Sequence, residues 1–325
     1  MTVLSGSGAP PIAEPALAPP AGAVRVASPR RPRSLAGALE RENVLGYLLM
    51  LPALVVLVLF IAYPFALGVW LSFTDKLVGK PASFVGLENF TLLFESQIFR
   101  RTVQNTFVYT AAATVLKLVF GMALALLLNK QFRFQRVVRA ASLLPWIVPT
   151  VLSTLAWLWM FDATYSVFNW ILIRVGVLQQ GIRWLGDPVL AMTSLVIVNT
   201  WRGIPFFAIS FLAGLQTIDA GLYEAADIDG ASAFGKFRHI TLPLIRPVLL
   251  VVLLFSIIWT FADFQLVYAL TRGGPYNTTH LFATLAYQIG LGAGALGRGA
   301  AISLFMFPLL VITAVIQLWY LRREA

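Results

Sequence analysis

Charged and hydrogen-bonding residues that interrupt long apolar runs are the positions where this chain could do chemistry. Lys117, Arg202 and Asp263 each stand inside a stretch otherwise suited to hydrocarbon. A polar side chain there is costly and usually faces a pathway or a partner helix. Around Arg202, the residues Asn199, Arg202, Gly203 and Phe206 fall at i, i+3, i+4 and i+7. Around Asp263, the residues Ser256, Trp259, Thr260 and Asp263 repeat that spacing. Each set shares one face of a helix. Aromatic rings beside donors and acceptors suit a sugar, which needs stacking for its C–H faces and polar partners for its hydroxyls. The alternative is that Arg202 and Asp263 pair with one another, or with another subunit, and pack the helices. Lys117 has no local partner in the sequence, and a backbone or partner-subunit contact is expected of it ahead of a transport role.

Other chemistries find little support. The chain has no cysteine, which removes disulfides, thiolate metal sites and cysteine nucleophiles, and its two histidines, His239 and His280, are too few for an imidazole cluster. Gly230 to Lys236 imitates the start of a phosphate-binding loop, but Phe237 stands where the Mg²⁺-binding hydroxyl is required, and no strand is expected before it. No paired catalytic carboxylates or nucleophile motif point to an enzyme.

The elements that must position these residues follow from composition. Hydrophobic residues make up 59% of the 325 and charged residues 12%, with a mean hydropathy of +0.81, whereas a soluble domain carries about 25% charge. Lipid is the solvent for most of this chain. A spanning helix needs roughly 20 apolar residues, and uncharged runs predict six, over about 45–73, 106–128, 140–161, 189–212, 248–270 and 300–321. The predicted fold is therefore all-α and polytopic, with residues 43–325 as a six-span domain. Residues 1–42, rich in Pro, Ala and Arg, read as a disordered basic tail and not as a cleaved signal peptide. Fourteen Lys and Arg residues fall on the side of the termini against eight on the other, which predicts both termini in the cytoplasm. The net charge of +10 thus marks membrane edges, and nucleic acid is not an expected partner. Residues 165–184 predict a short interfacial helix on the outer face, anchored by Trp170 and Trp184, with a buried re-entrant connector as the alternative.

The longest inward loop, about 216–247, predicts a helix capped by Asp219, ended by Gly230, with a second flexible point at Gly235 and a second short helix before Pro243. Glu224, Ala225 and Ala226, then Asp229 and Gly230, then Ile240, Thr241, Leu242 and Pro243 resemble the EAA loop of the permeases of binding-protein-dependent ABC importers. Tyr63 and Pro64, Asn199 to Trp201, Pro205 and Phe206, and the run Leu270 to Pro275 are similar to the carbohydrate-uptake branch, including its maltose and glycerol-phosphate permeases. The extra N-terminal spans and large outer domain of the long maltose subunit are missing.

The resemblance implies a type I importer permease in a bacterial inner membrane. Its loop would be a cytoplasmic coupling helix, with Glu224, Ala225, Ala226, Asp229, Gly230, Ile240, Leu242 and Pro243 engaging an ATPase. The eight residues of the two polar faces would line the solute path. The implied partners are a second homologous permease, two ATP-binding subunits, an extracytoplasmic solute-binding protein and the bilayer. ATP and Mg²⁺ would be bound by the partner subunits and no cofactor by this chain, which would work by alternating access. A permease of the same superfamily for glycerol phosphate or a polyol, and an ion-coupled secondary transporter, are the alternatives. A solvated connecting loop is the plainer reading of 216–247.

Overall fold

In a computed structural model of the chain, the structure describes residues 42–324. The predicted tail therefore lies outside the described residues except for Glu42. Among the described residues there is no strand, only an isolated bridge between Thr74 and Phe84. The fold is all-α.

The chain divides into one unit ending at Phe60 and another beginning at Ile61. In the first, helix α1 (Glu42–Leu57) leads into a π-helical turn at Val58–Ala62, and every residue from Leu45 to Phe60 is exposed. The second holds α2 (Tyr63–Ser72), α3 (Glu88–Glu95), α4 (Gln97–Asn129), α5 (Gln135–Ile147), α6 (Thr150–Met160), α7 (Val167–Arg174) and α8 (Pro188–Leu215). It continues with α9 (Ala220–Ile228), α10 (Ala233–Leu244), α11 (Arg246–Phe261), α12 (Gln265–Leu270), α13 (Phe282–Tyr287), α14 (Leu296–Leu304) and α15 (Met306–Glu324).

Four stretches, Leu45–Ser72, Gln97–Asn129, Pro188–Leu215 and Leu296–Ile316, are long and apolar enough to cross a membrane. Two helix pairs reach that length only together: α5 and α6, bent by 90°, and α10 and α11, bent by 71°. Counting each bent pair once gives six crossings. Proline accounts for the first bend. Val148 and Pro149 are extended at ψ 131° and 132°, because a proline removes a backbone donor and pushes the residue before it out of the helical region.

The fifth predicted span differs from the observed one. Helix α11 has 16 residues, a rise of about 24 Å against a hydrocarbon core of about 30 Å. It stops at Phe261 instead of running to Leu270, so Asp263 lies beyond the helix and not inside it. Asp263 Oδ1 accepts the backbone N–H of Leu266 at 3.3 Å, a local bond that competes with helix continuation.

Side-chain packing ties these elements together in three clusters. One joins Tyr109 and Ala113 of α4, Trp157 of α6, Leu195 and Val198 of α8, and Leu266 and Val267 of α12. A second joins Met122, Ala125 and Leu128 of α4 to Phe207, Phe211 and Leu215 of α8 and Val252 of α11. The third centres on Phe99, Phe261, Phe282 and Ile302. A short helix stands at the predicted place as α7, with Trp170 exposed. Trp184 is half-buried, packs against Phe161 and Phe168 and donates its indole N–H to Asn169 Oδ1 at 3.0 Å.

Candidate functional site

Helix α8 starts sharply because the Asp187 carboxylate accepts the N–H groups of Val189 and Leu190 at 2.9 and 3.0 Å, with Pro188 in the first turn. That register turns Asn199, Arg202, Gly203 and Phe206 toward α11, which supplies Ser256, Trp259 and Thr260. These residues and Asp263 line one cavity of about 290 Å³, together with Lys117, Trp146 and Phe207. All eight residues of the two sequence-predicted faces are thereby brought together.

Within the cavity the carboxylate is fully engaged. Asp263 Oδ2 accepts from the Tyr109 hydroxyl at 2.7 Å and from Asn199 Nδ2 at 3.0 Å. Arg202 does not pair with it: among the described residues the ion pair within 4.0 Å joins Lys236 and Asp227, on the loop before α11. Lys117, for which the sequence offers no partner, donates to Thr260 Oγ1 at 2.7 Å and lies 6.0 Å from the centre of the Phe207 ring. Gly203 lines the cavity and also makes room for a lysine, since a side chain there would overlap the Lys117 stem.

Three polar atoms at the cavity, Asn199 Oδ1, Arg202 Nε and Ser256 Oγ, are buried with no hydrogen-bond partner. Buried polar atoms are nearly always satisfied, and three of the unpartnered ones among the described residues belong to residues lining this cavity. The Phe206 and Trp259 rings meet at a tilt of 59° with centroids 5.1 Å apart, and Trp146 lies 5.9 Å from Phe206. Among the described residues no cluster of His, Asp or Glu could hold a metal ion.

Tyr109 was legible through a signal outside the two polar faces, and Lys117 stands in the same stripe. Thr102, Thr106, Tyr109, Thr110, Thr114 and Lys117 are buried on α4 and recur at three- and four-residue spacing, a polar stripe in an apolar helix. Trp146 carries no such signal, because the bend at Val148 and Pro149 sets its direction.

The loop over residues 216–247 forms the second candidate site. Asp219 caps α9 by accepting the N–H of Gly221 at 3.0 Å. Gly230, at φ +73°, takes the left-handed position that ends the helix, where the Ala231 N–H reaches back to the Ala226 carbonyl at 2.9 Å. Gly235 is helical and no hinge, since Ser232 Oγ caps α10 by accepting its N–H at 3.1 Å. Glu224, Ala225, Asp229 and Gly230 are exposed and Ala226 is half-buried, while on α10 Leu242 and Pro243 are exposed and Ile240 is half-buried. Ile228 and Phe234 are 88% and 70% exposed, the highest exposures among the large apolar side chains that α9 and α10 present.

Comparison with known proteins places this geometry. Residues 117–325 match the family described as "Binding-protein-dependent transport system inner membrane component". The trehalose/maltose transport system permease protein MalF of Thermococcus litoralis is 38% identical over 279 residues, covering 86% of this chain and 94% of that protein. The sulfoquinovosyl glycerol transport system permease protein SmoG of Agrobacterium fabrum is 37% identical, covering 87% of this chain and 92% of that one. A solved bacterial ABC transporter involved in import of the acidic polysaccharide alginate has a chain of the same fold, with a TM-score of 0.74 over 89% of this chain and 98% of that one, at 24% identity. On the sequence match and the fold together, this chain belongs to the family of inner membrane permease components of binding-protein-dependent transport systems.

Proposed function

We propose that the chain is one of two similar permease subunits of an ATP-driven importer and lines half of the path taken by a sugar or oligosaccharide. The observation that carries the sugar reading is the cavity. Phe206, Trp259 and Trp146 offer ring faces beside the orphan groups of Asn199, Arg202 and Ser256. A saccharide supplies both complements, C–H faces for the rings and hydroxyls for the orphans. A buried polar group without a partner costs about 1–3 kcal/mol, which a hydroxyl-rich solute would relieve. The volume of about 290 Å³ is at the lower end for ligand sites, roughly 300–1,000 Å³, in keeping with a second subunit supplying the opposite wall. The solutes named for the two relatives, trehalose, maltose and sulfoquinovosyl glycerol, belong to the same chemical class.

In this reading an extracytoplasmic binding protein delivers the solute, and two separate ATP-binding subunits hold ATP and Mg²⁺. Helix α9 seats on one of them, with Glu224 as a charged acceptor, Ala225 and Ala226 permitting close approach, and the exposed Ile228 and Phe234 covered by the partner. ATP-driven closure moves the loop and reorients the helices around the cavity, and hydrolysis resets them. The bias of basic residues supports cytoplasmic termini and a cytoplasmic α9.

The test is uptake of a panel of labelled mono- and oligosaccharides by proteoliposomes holding the complete complex, with its binding protein outside and ATP inside. Trp259→Ala is expected to lower uptake about tenfold, a loss of about 1.4 kcal/mol of stacking, with sugar affinity of the binding protein unchanged. Wild-type uptake by this variant overturns the cavity assignment, and uptake that persists without ATP overturns the importer.

A further inference from the structure

Helix α9 receives force in the proposed mechanism, yet none of its nine residues is buried. Its N-terminal end is tied directly to α8, but what it transmits toward α11 must pass through the turn at Gly230 or across the side-chain bonds that join α9 to α10. Two such bonds exist among the described residues. Lys236 Nζ meets Asp227 Oδ1 at 2.5 Å, but the two side chains are 23% and 61% exposed, and exposed ion pairs hold little. The other joins the hydroxyls of Tyr223 and Thr241 at 2.9 Å. Thr241 is 3% exposed and is the last residue of a π-helical turn, Phe237–Thr241, inside α10. Such turns are rare and concentrate at functional sites. The Thr241 carbonyl in turn accepts the N–H of Ile245 at 3.1 Å, and Ile245 is the residue at which α10 bends by 71° into α11. A single hydroxyl pair thus connects the outermost helix of the loop to the bend that precedes a cavity-lining helix.

We propose that Tyr223 and Thr241 are positioning residues whose hydroxyl bond carries displacement of α9 to α11. The proposal rests on the reading that α9 docks on an ATP-binding subunit. The covalent route from α9 to α11 runs through the left-handed Gly230 and the exposed Ser232, so α9 without the bond can rock about that turn while α11 stays still. With the bond, α9, the π turn and the bend move together. Neither residue touches solute or nucleotide. Their loss should therefore appear as hydrolysis that moves less solute.

The experiment measures solute taken up per ATP hydrolysed by the reconstituted complex, with assembly checked by size-exclusion chromatography. Tyr223→Phe removes one oxygen and keeps the ring; Thr241→Val removes the hydroxyl and keeps the shape. Each is expected to lower the ratio about five- to tenfold, the size of one shielded hydrogen bond, and the double variant no further, since both delete the same bond. Thr241→Ser should return the ratio to within twofold of wild type, and Asp227→Asn should leave it there. A wild-type ratio in Tyr223→Phe and Thr241→Val, with Glu224→Lys abolishing uptake, overturns the strut and leaves the docking reading standing. Wild-type uptake in Glu224→Lys overturns the docking reading and the strut with it. Tyr223→Phe, at a half-exposed position, keeps the test readable if Thr241→Val assembles poorly.

Discussion

Replacing Gly203 with alanine puts a methyl group where the Lys117 side chain runs. The new carbon would lie 3.1 Å from Lys117 Cγ and 3.4 Å from Cε, and nearer still to Cδ. The stem must shift and carry the ammonium away from Thr260 Oγ1, its acceptor at 2.7 Å. Overpacking of this kind costs about 1–3 kcal/mol, and losing a hydrogen bond from a charged donor costs about 1.5–3 kcal/mol. Alanine recovers up to about 1 kcal/mol of helix preference over glycine. Gly203→Ala should therefore destabilise by roughly 1.5–5 kcal/mol. In a Lys117→Ala background there is no stem to displace and no bond to lose, so the same substitution becomes neutral or stabilises by up to about 1 kcal/mol. A double-mutant cycle isolates that difference. The assay is thermal denaturation of the detergent-purified complex in its four forms. Gly203→Ala should lower the apparent Tm by several degrees in the wild-type background and not in the Lys117→Ala background. An equal drop in both would refute the contact between the two residues as the reason for the glycine.

Two further outcomes are expected. Gly230→Val forces a β-branched residue to φ +73°, a cost on the order of 1–2 kcal/mol at the end of α9. Uptake should fall to background while the external protein still binds solute, and normal uptake would contradict a fixed α9 terminus. His280 packs against Gly273 and bonds Thr284 Oγ1 and Asn277 Oδ1, each at 3.2 Å; burial pushes its pKa from 6.5 down to about 4. Between those values the unfolded chain binds a proton that the folded chain refuses. The stability contributed by neutral His280 is thus complete above pH 6.5 and lost as pH falls toward 4. His280→Gln should flatten the dependence of apparent Tm on pH across that window, and an unchanged slope would refute it.

The membrane helices were legible because hydrocarbon imposes a length and a composition that a sequence cannot disguise. Helix α8 matched its predicted limits to within three residues, since Asp187 and Pro188 mark its start. Helix α4 starts nine residues before its predicted limit, because Arg100 and Arg101 in its first turns look like loop to any measure of hydropathy. The bends were written in Pro149 and Pro247, but averages over an apolar run pass across a single proline. Asp263 kept its place at the cavity while losing its place in the helix, as a carboxylate that finds backbone and side-chain donors ends a helix without leaving its face. The spacing rule thus named eight of the residues that line the cavity. It could not find that Gly203 serves Lys117, since the close approach of α4 to α8 is a tertiary fact.

Asp263 holds donors from three elements at once: Tyr109 of α4, Asn199 of α8 and the Leu266 N–H of α12. Separating α12 from the other two helices strands the carboxylate with one side or the other. Any motion that parts these elements at this end of the cavity must therefore break at least one bond to a single acidic side chain, and a buried group left unmatched in this way costs about 1–3 kcal/mol.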